Sequence, residues 1–298
     1  MIKKRIVIIG AGKLAHSLTS ALLNAGYPVQ SVIGRKISSA KSLAKKFSIL
    51  HYSNSPKKIP DDIKIFFLTV PDGEIKKVAE KLSKLNRDFK DCICIHFSGV
   101  ENTDSLRTLA KKGCAIGSLH IMQTFPTKNI VEIKYSTAAI EGEDKRAVKY
   151  SNQLCSKLKL KSIRISSEEK VFYHLAGVYS SNFLVENLFN AFSLFPKGIK
   201  PHQILKKTSQ STLSNIFSLS PAKALSGPVD RGDIYTIKKH IESLDIEIRQ
   251  VKRNDRFKLL RANYIVQSLS LLEVVKAKYG KLSKNHLKIK KFLMSKLG

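Results

Sequence analysis

Ile6-Val7-Ile8-Ile9-Gly10-Ala11-Gly12-Lys13-Leu14-Ala15 is the stretch whose reading decides the fold. Its first four residues are β-branched and apolar without interruption, which suits a strand buried on both faces, as in parallel sheets. Two glycines in a G-x-G-x-x-A pattern end the run, and Leu14, Leu18, Leu22 and Leu23 then recur at helical spacing as far as Gly26, a ready helix stop. Val29 to Ile33 reads as the next strand, so the segment is a strand–helix–strand unit. Gly10 permits the tight turn, Gly12 lets the backbone approach a pyrophosphate, and Ala15 keeps the helix close to the sheet. Lys13 and Leu14 then open a helix whose free N–H groups and dipole favour phosphate. In this context the pattern is a dinucleotide-binding fingerprint.

Further strand-like runs follow at Ile63 to Val70, Cys92 to Phe97, Ala115 to Leu119 and Thr137 to Ile140, with helical or turn-rich segments such as Gly73 to Leu85 between them. Such alternation predicts an α/β fold with a doubly wound sheet. After Ile165 the strand patterns cease. Ser166 and Glu169 have capping-box spacing ahead of an apolar helix to about Phe195, and further helices are expected over Pro201 to Leu219, Ile234 to Leu244, Asn254 to Tyr279 and Ser283 to Leu297. The expected organisation is a Rossmann-type domain over 1–164 followed by a mainly α-helical domain over 165–298.

The formal charge is +30, carried by 42 lysines and 11 arginines spread through every region. Nucleic-acid sites favour arginine forks with interleaved stacking aromatics, and here the aromatic residues sit mostly at core-like spacings, so lysine enrichment is preferred to a nucleic-acid site. The positive field still draws anionic substrates and phosphate-bearing cofactors. Cys92, Cys94, Cys114 and Cys155 lack zinc-ribbon spacing, and the first two point to one face of a strand. Reduced core cysteines and a cytoplasmic setting are expected. Lys3, Lys4 and Arg5 precede an apolar run in signal-peptide fashion, but Lys13 and His16 interrupt it, and no stretch reaches the ~20 apolar residues needed to span a bilayer.

An NAD-binding unit places an acid about 20 residues beyond the glycines to hold the ribose 2′-hydroxyl. Here the first carboxylate of the chain is Asp61. The second strand ends instead in Gly34-Arg35-Lys36, followed by Ser38 and Ser39, a group of donors suited to a 2′-phosphate. The expected cofactor is therefore NADP. Val70 and Pro71 end a strand at the sheet edge where the nicotinamide would lie, and Ser98 and Gly99 follow another.

Four motifs outside this region carry a resemblance: His96-Phe97-Ser98-Gly99; Ser118 to Phe125; Tyr173-His174-Leu175-Ala176-Gly177 with Ser181-Asn182; and Leu225 to Asp233. Over nearly its whole length the chain resembles Rossmann-like proteins with a helical C-terminal domain of unknown function, related to deazaflavin-dependent NADP reductases and pyrroline-5-carboxylate reductase. It departs from them at Ile121, where a proline is usual. The resemblance implies NADP, a cleft at the strand ends closed by the first helix of the second domain, and a homodimer through that domain. His120, His174 and Asn182 are the candidate catalytic residues, a histidine being a suitable proton donor near neutral pH. Gln123, Thr124, Ser181, Ser226 and Arg231 are candidate substrate-binding residues. A structural role for each histidine stands beside the catalytic one, and Arg231 is as readily an ion-pair partner of Asp233 or Asp255. His96, His120 and His174 lack the compact spacing of a zinc site, and no metal is expected. The leading function is an NADP-dependent oxidoreductase acting on a small, anionic carbonyl or imine substrate. The alternatives are a non-catalytic NADP-binding sensor or interaction protein and a nucleic-acid-associated protein.

Overall fold

A computed structural model describes residues 4–250 and 255–297 of the chain. Asn254, the expected start of one helix, and Lys3 lie outside the described residues. The elements run β1 (Arg5–Ile9), α1 (Lys13–Asn24), β2 (Val29–Ile33), α2 (Ile37–Lys46), β3 (His51–Ser53), β4 (Ile63–Leu68), α3 (Ile75–Ser83), β5 (Ile93–His96), α4 (Arg107–Ala110), β6 (Ala115–Ile121), β7 (Thr137–Glu141), α5 (Lys145–Lys157) and β8 (Lys161–Arg164). The helical remainder is α6 (Ser167–Ser193), α7 (Pro201–Leu219), α8 (Pro221–Ala224), α9 (Pro228–Arg231), α10 (Ile234–Gln250), α11 (Asp255–Tyr279) and α12 (Lys284–Met294).

The strands form one eight-stranded sheet in the order β3-β2-β1-β4-β5-β6-β7-β8. Pairing is parallel from β3 through β6, antiparallel between β6 and β7, and parallel again between β7 and β8. The order reverses beside β1, and the crevice outside the carboxyl ends of β1 and β4 is where such sheets bind ligands. The buried run Ile6 to Ile9 explains this centre: Ile6 and Ile8 pack with Leu18, Leu22 and Val32 in one apolar layer, while Val7 and Ile9 pack with Phe66, Leu68 and Leu82 in the other. Cys92, Cys94, Cys114 and Cys155 are free and buried.

The sheet is larger than the sequence reading allowed. β3 pairs with β2, and β8 extends the far edge, its four residues all exposed. The antiparallel β7 also departs from a purely parallel doubly wound arrangement.

By internal contacts the chain divides into two compact units, Met1–Leu184 and Val185–Gly298. Strands end at Arg164, but α6 belongs with the first unit as far as Leu184. The second unit is helical and has its own core of Val229, Ile237, Ile241, Ile265, Leu272, Val275, Ile289 and Leu293. Among the described residues no helix is long and apolar enough to cross a membrane.

Candidate functional site

The two glycines of the turn after β1 answer different demands. Gly10 has φ +108°, and a Cβ there would lie 2.5 Å from the Thr69 carbonyl oxygen, so the protein itself demands glycine. Thr69 secures the turn by donating from Oγ1 to the Gly10 carbonyl at 2.7 Å. Gly12 differs. A Cβ there would meet only the Thr69 oxygen, at 3.8 Å, an ordinary contact. Gly12 is the N-cap of α1, no side chain caps that helix, and its first turn holds no acid, so the leading N–H groups are left without intrahelical partners beside the exposed Lys13. A dinucleotide's phosphates fit such a cradle.

At the end of β2, Arg35, Lys36 and Ser38 are exposed, and among the described residues none makes a side-chain hydrogen bond or ion pair. Lys36 is the N-cap of α2, a second helix start without an acid in its first turn. Val70 and Pro71 follow β4 at the same carboxyl edge.

The histidines separate by role. His96, at the end of β5, is fully buried; its Nε2 donates to the Asn102 carbonyl at 3.2 Å, and its Nδ1 accepts from the Ser98 N–H at 3.3 Å. Burial holds it neutral, pushing its pKa down to about 3, with Lys170 adding to the effect. His120, near the end of β6, meets Tyr173 and His174 of α6 edge to face, with ring centroids 5.7 and 5.5 Å away. Among the described residues its buried Nδ1 has no hydrogen-bond partner, nor has the Tyr173 hydroxyl. Burial, then His174 and Lys170, bring the His120 pKa down to about 4. Gly99 makes this cluster sterically possible: a Cβ there would lie 2.2 Å from His174 Cδ2 and 3.0 Å from His120 Nε2.

Behind the cluster lies Lys170, with no exposed surface. Its ammonium donates to the Glu101 carbonyl and to Ser118 Oγ, and lies 3.5 Å from Glu141 Oε2. The other oxygen of Glu141 accepts from Thr103 at 3.3 Å and Ser167 at 3.0 Å. Burial lowers the Lys170 pKa while Glu141 opposes the shift.

Among the described residues no hydrogen bond, ion pair or ring contact ties Asn182, Ser181, Gln123 or Thr124 to this cluster. Asn182 is exposed and accepts from Ser181 Oγ at 2.9 Å, while that hydroxyl also lies 2.6 Å from the Gly177 carbonyl. Gln123 and Thr124 are exposed beyond β6, the Thr124 N–H donating to Gln123 Oε1. In the second unit Ser226 and Arg231 flank the Gly227-Pro228 turn, both exposed. Asp230 there binds Lys278 at 2.9 Å, and Asp233 caps α10 by accepting from the Thr236 N–H at 3.0 Å. Asp230 is thus held in an ion pair with Lys278.

Residues 5–97 match the family described as NADP oxidoreductase, coenzyme F420-dependent, and residues 136–258 match DUF2520, a domain of unknown function. The two matches follow one another along the chain, the oxidoreductase family first and DUF2520 second. Among solved structures it is similar to a candidate NADP oxidoreductase from Bacteroides fragilis, at 24% identity and TM-score 0.76 over 91% of this chain and 98% of that one. A Thermotoga maritima protein matches at 23% identity and TM-score 0.65, over 92% and 99%. An imine reductase from Myxococcus stipitatus in complex with NADP+ matches at 13% identity and TM-score 0.61, over 97% and 99%. At these identities the likeness shows the fold. No curated protein matches the chain.

Sequence reasoning missed Lys170 and the place of Tyr173. Lys170 follows Ser-Glu-Glu at a helix start and reads as solvated. The signal it offered was spacing, because Lys170, His174 and Gly177 fall on one helical stripe.

Proposed function

We propose that this protein is an NADP-dependent oxidoreductase that reduces a small, anionic carbonyl or imine compound. The observation that carries the reading is the His120–His174 pair at the carboxyl edge of the sheet that also presents the Gly10–Gly12 cradle. Gly10, Gly12, Lys13 and Leu14 would hold the pyrophosphate, and Arg35, Lys36 and Ser38 the 2′-phosphate. Val70, Pro71, Ser98 and Gly99 would line the nicotinamide side. NADPH, when bound, supplies a hydride. The chain's own task is to orient the substrate and protonate its oxygen or nitrogen, and the imidazole pair is assigned to hold and relay that proton, burial keeping His120 neutral near pH 7. Asn182, Ser181, Gln123 and Thr124 are assigned to polar substrate atoms. Arg231 and Ser226 are assigned to the anionic group, a role an exposed guanidinium suits, although Arg231 also acts on Asp233.

The protein is further proposed to be a cytoplasmic homodimer through its C-terminal half. Along α6 Phe172, Tyr179, Val185 and Phe189 are exposed, and α7 has no buried residue and exposes Phe217 at 86%. Helices this apolar call for a covering surface.

His120→Asn and His174→Asn test the catalytic assignment. Each is expected to lower NADPH-dependent turnover by ~10²-fold or more while leaving NADPH affinity within a few-fold. Unchanged turnover in both would remove the pair from the chemistry.

A further inference from the structure

The apolar layer that α1 and α5 lay over the sheet is not closed at its amino edge. α1 contributes Leu18 and Leu22 to that layer, and α5 contributes Ala147 and Leu154. Within the same compact unit lies a cavity of about 960 Å³. Lys4 stands directly before β1, Tyr27 two residues before β2 and Cys92 directly before β5, and all three line it. These strands run parallel in one sheet, so the cavity lies at their amino ends, whereas Gly10, Arg35 and Ser98 follow their carboxyl ends. The length of a five-residue strand, ~16 Å, separates the two edges.

α5 builds one wall with two adjacent stripes. Ala147, Ser151 and Leu154 are buried, while Arg146, Tyr150 and Gln153, each one position earlier, line the cavity. The apolar part of the lining is aromatic: Tyr150 stands against Phe67 of β4 with ring centroids 6.4 Å apart, and Tyr27 is buried. The Tyr150 hydroxyl is buried and has no hydrogen-bond partner among the described residues, a donor that the fold itself leaves unmet.

The charged part is cationic, with Lys4, Arg146, Lys149 and Lys157 against one lining acid, Asp91. Two of these cations are set in place by carbonyls. Lys4 Nζ donates to the main-chain carbonyl of Asp91 at 3.0 Å. Arg146 donates to the carbonyls of Lys90 at 2.6 Å and Gly113 at 3.0 Å, with the Asp144 carboxylate 3.4 Å away. Carbonyls hold a cation without neutralising it. Lys149 and Lys157 have no hydrogen-bond or ion-pair partner among the described residues.

We infer that this cavity is a second ligand site, separate from the cofactor cleft, and that it takes a flat aromatic carboxylate. Its volume is that of an ordinary small-molecule pocket. The ligand's ring lies against Tyr27 and Tyr150, where aromatic contact adds to apolar burial. Its carboxylate meets the lysines of α5 and the anchored Lys4 and Arg146. Charge selects the anion, because a neutral aromatic gains the same ring contact without the ion pairs.

The test titrates β-naphthoate into the full chain and follows the probe's proton relaxation by NMR. One equivalent is expected to bind with a dissociation constant of about 1 mM or tighter, and saturating NADPH is expected to change it by no more than about twofold, the two sites lying at opposite edges. The corresponding naphthalene methanol, which keeps the ring and lacks the charge, should bind at least ~3-fold more weakly. Lys149→Gln/Lys157→Gln should weaken the carboxylate by about 3- to 10-fold and leave the alcohol unaffected. Gln153→Trp, at an exposed position of α5, fills the cavity and should abolish binding. NADPH affinity near that of the wild type shows that both variants are folded. Absence of naphthoate binding, its displacement by NADPH, unaltered binding in Gln153→Trp, or equal binding of the alcohol overturns the inference. So does a wild-type dimer that Gln153→Trp dissociates, since the cavity then belongs to a second copy of the chain. No turnover enters the measurement, so its failure leaves the reductase reading standing.

Discussion

Replacing Gly99 by alanine perturbs the histidine cluster by a single methyl group. Gly99 is not among the glycines with positive φ, so an alanine backbone fits there. The methyl carbon would lie 2.2 Å from His174 Cδ2 and 2.8 Å from Cγ, against an ordinary carbon separation of about 3.5 Å. The His174 ring must therefore retreat by about 1 Å or more. Overpacking of this kind costs about 1–3 kcal/mol, which lowers the melting temperature by roughly 2–10 °C in a chain of this size. A misplacement of ~1 Å at a reacting group costs on the order of 10²-fold in rate. The assays are thermal unfolding and NADPH-dependent turnover, measured for Gly99→Ala, His174→Ala and the double variant. Because the clash is mainly with His174, most of the stability lost to Gly99→Ala should vanish in the His174→Ala background. Additive losses, or a folded Gly99→Ala protein with wild-type turnover, would refute the packing argument.

Gly12→Ala should behave in the opposite way, since its Cβ meets only the Thr69 oxygen at 3.8 Å: unfolding changes by no more than about 1 kcal/mol, the usual scale of an N-cap exchange, while NADPH affinity in a fluorescence titration falls at least ~10-fold. Arg35→Ala should erase most of the preference for NADPH over NADH, a loss of about 1.5–3 kcal/mol in competing titrations; an unaltered preference would move the 2′-phosphate elsewhere. Stability should fall on acidification. His96 and His120 titrate at about 3 and about 4 in the folded chain but near 6.5 when unfolded, so between those values the unfolded chain binds protons that the native one refuses. Urea unfolding at pH 5 should show a loss on the order of 2 kcal/mol for each relative to pH 7.5, and His96→Asn should flatten the slope by one such share.

The core of the fold was legible because its signals are local. Ile6 to Ile9 with Gly10 and Gly12 names a buried strand, a turn and a helix start within ten residues, and the long helices carry their own periodicity. The two strands that escaped notice are edge strands whose residues are mostly exposed, His51–Ser53 and Lys161–Arg164, so neither shows an apolar face. Within the site, the histidines could be named because their residue type is uncommon and strand ends face the crevice. Lys170 could not, since its burial depends on Ser118, 52 positions away, and Glu141, 29 away. The steric demand at Gly99 is equally nonlocal, arising from α6 rather than from its own turn.

The central claim is hydride transfer from NADPH, and deuterium transfer tests it most directly. Wild-type protein is incubated with NADPH deuterated at nicotinamide C4 and a panel of small anionic carbonyl and imine compounds, and the products are examined by mass spectrometry. The account predicts that at least one compound gains one deuterium per NADPH consumed, with deuterated NADH a much poorer donor. Tight binding of NADPH with no deuterium in any compound of the panel would contradict it and favour a cofactor-binding protein that does no redox chemistry.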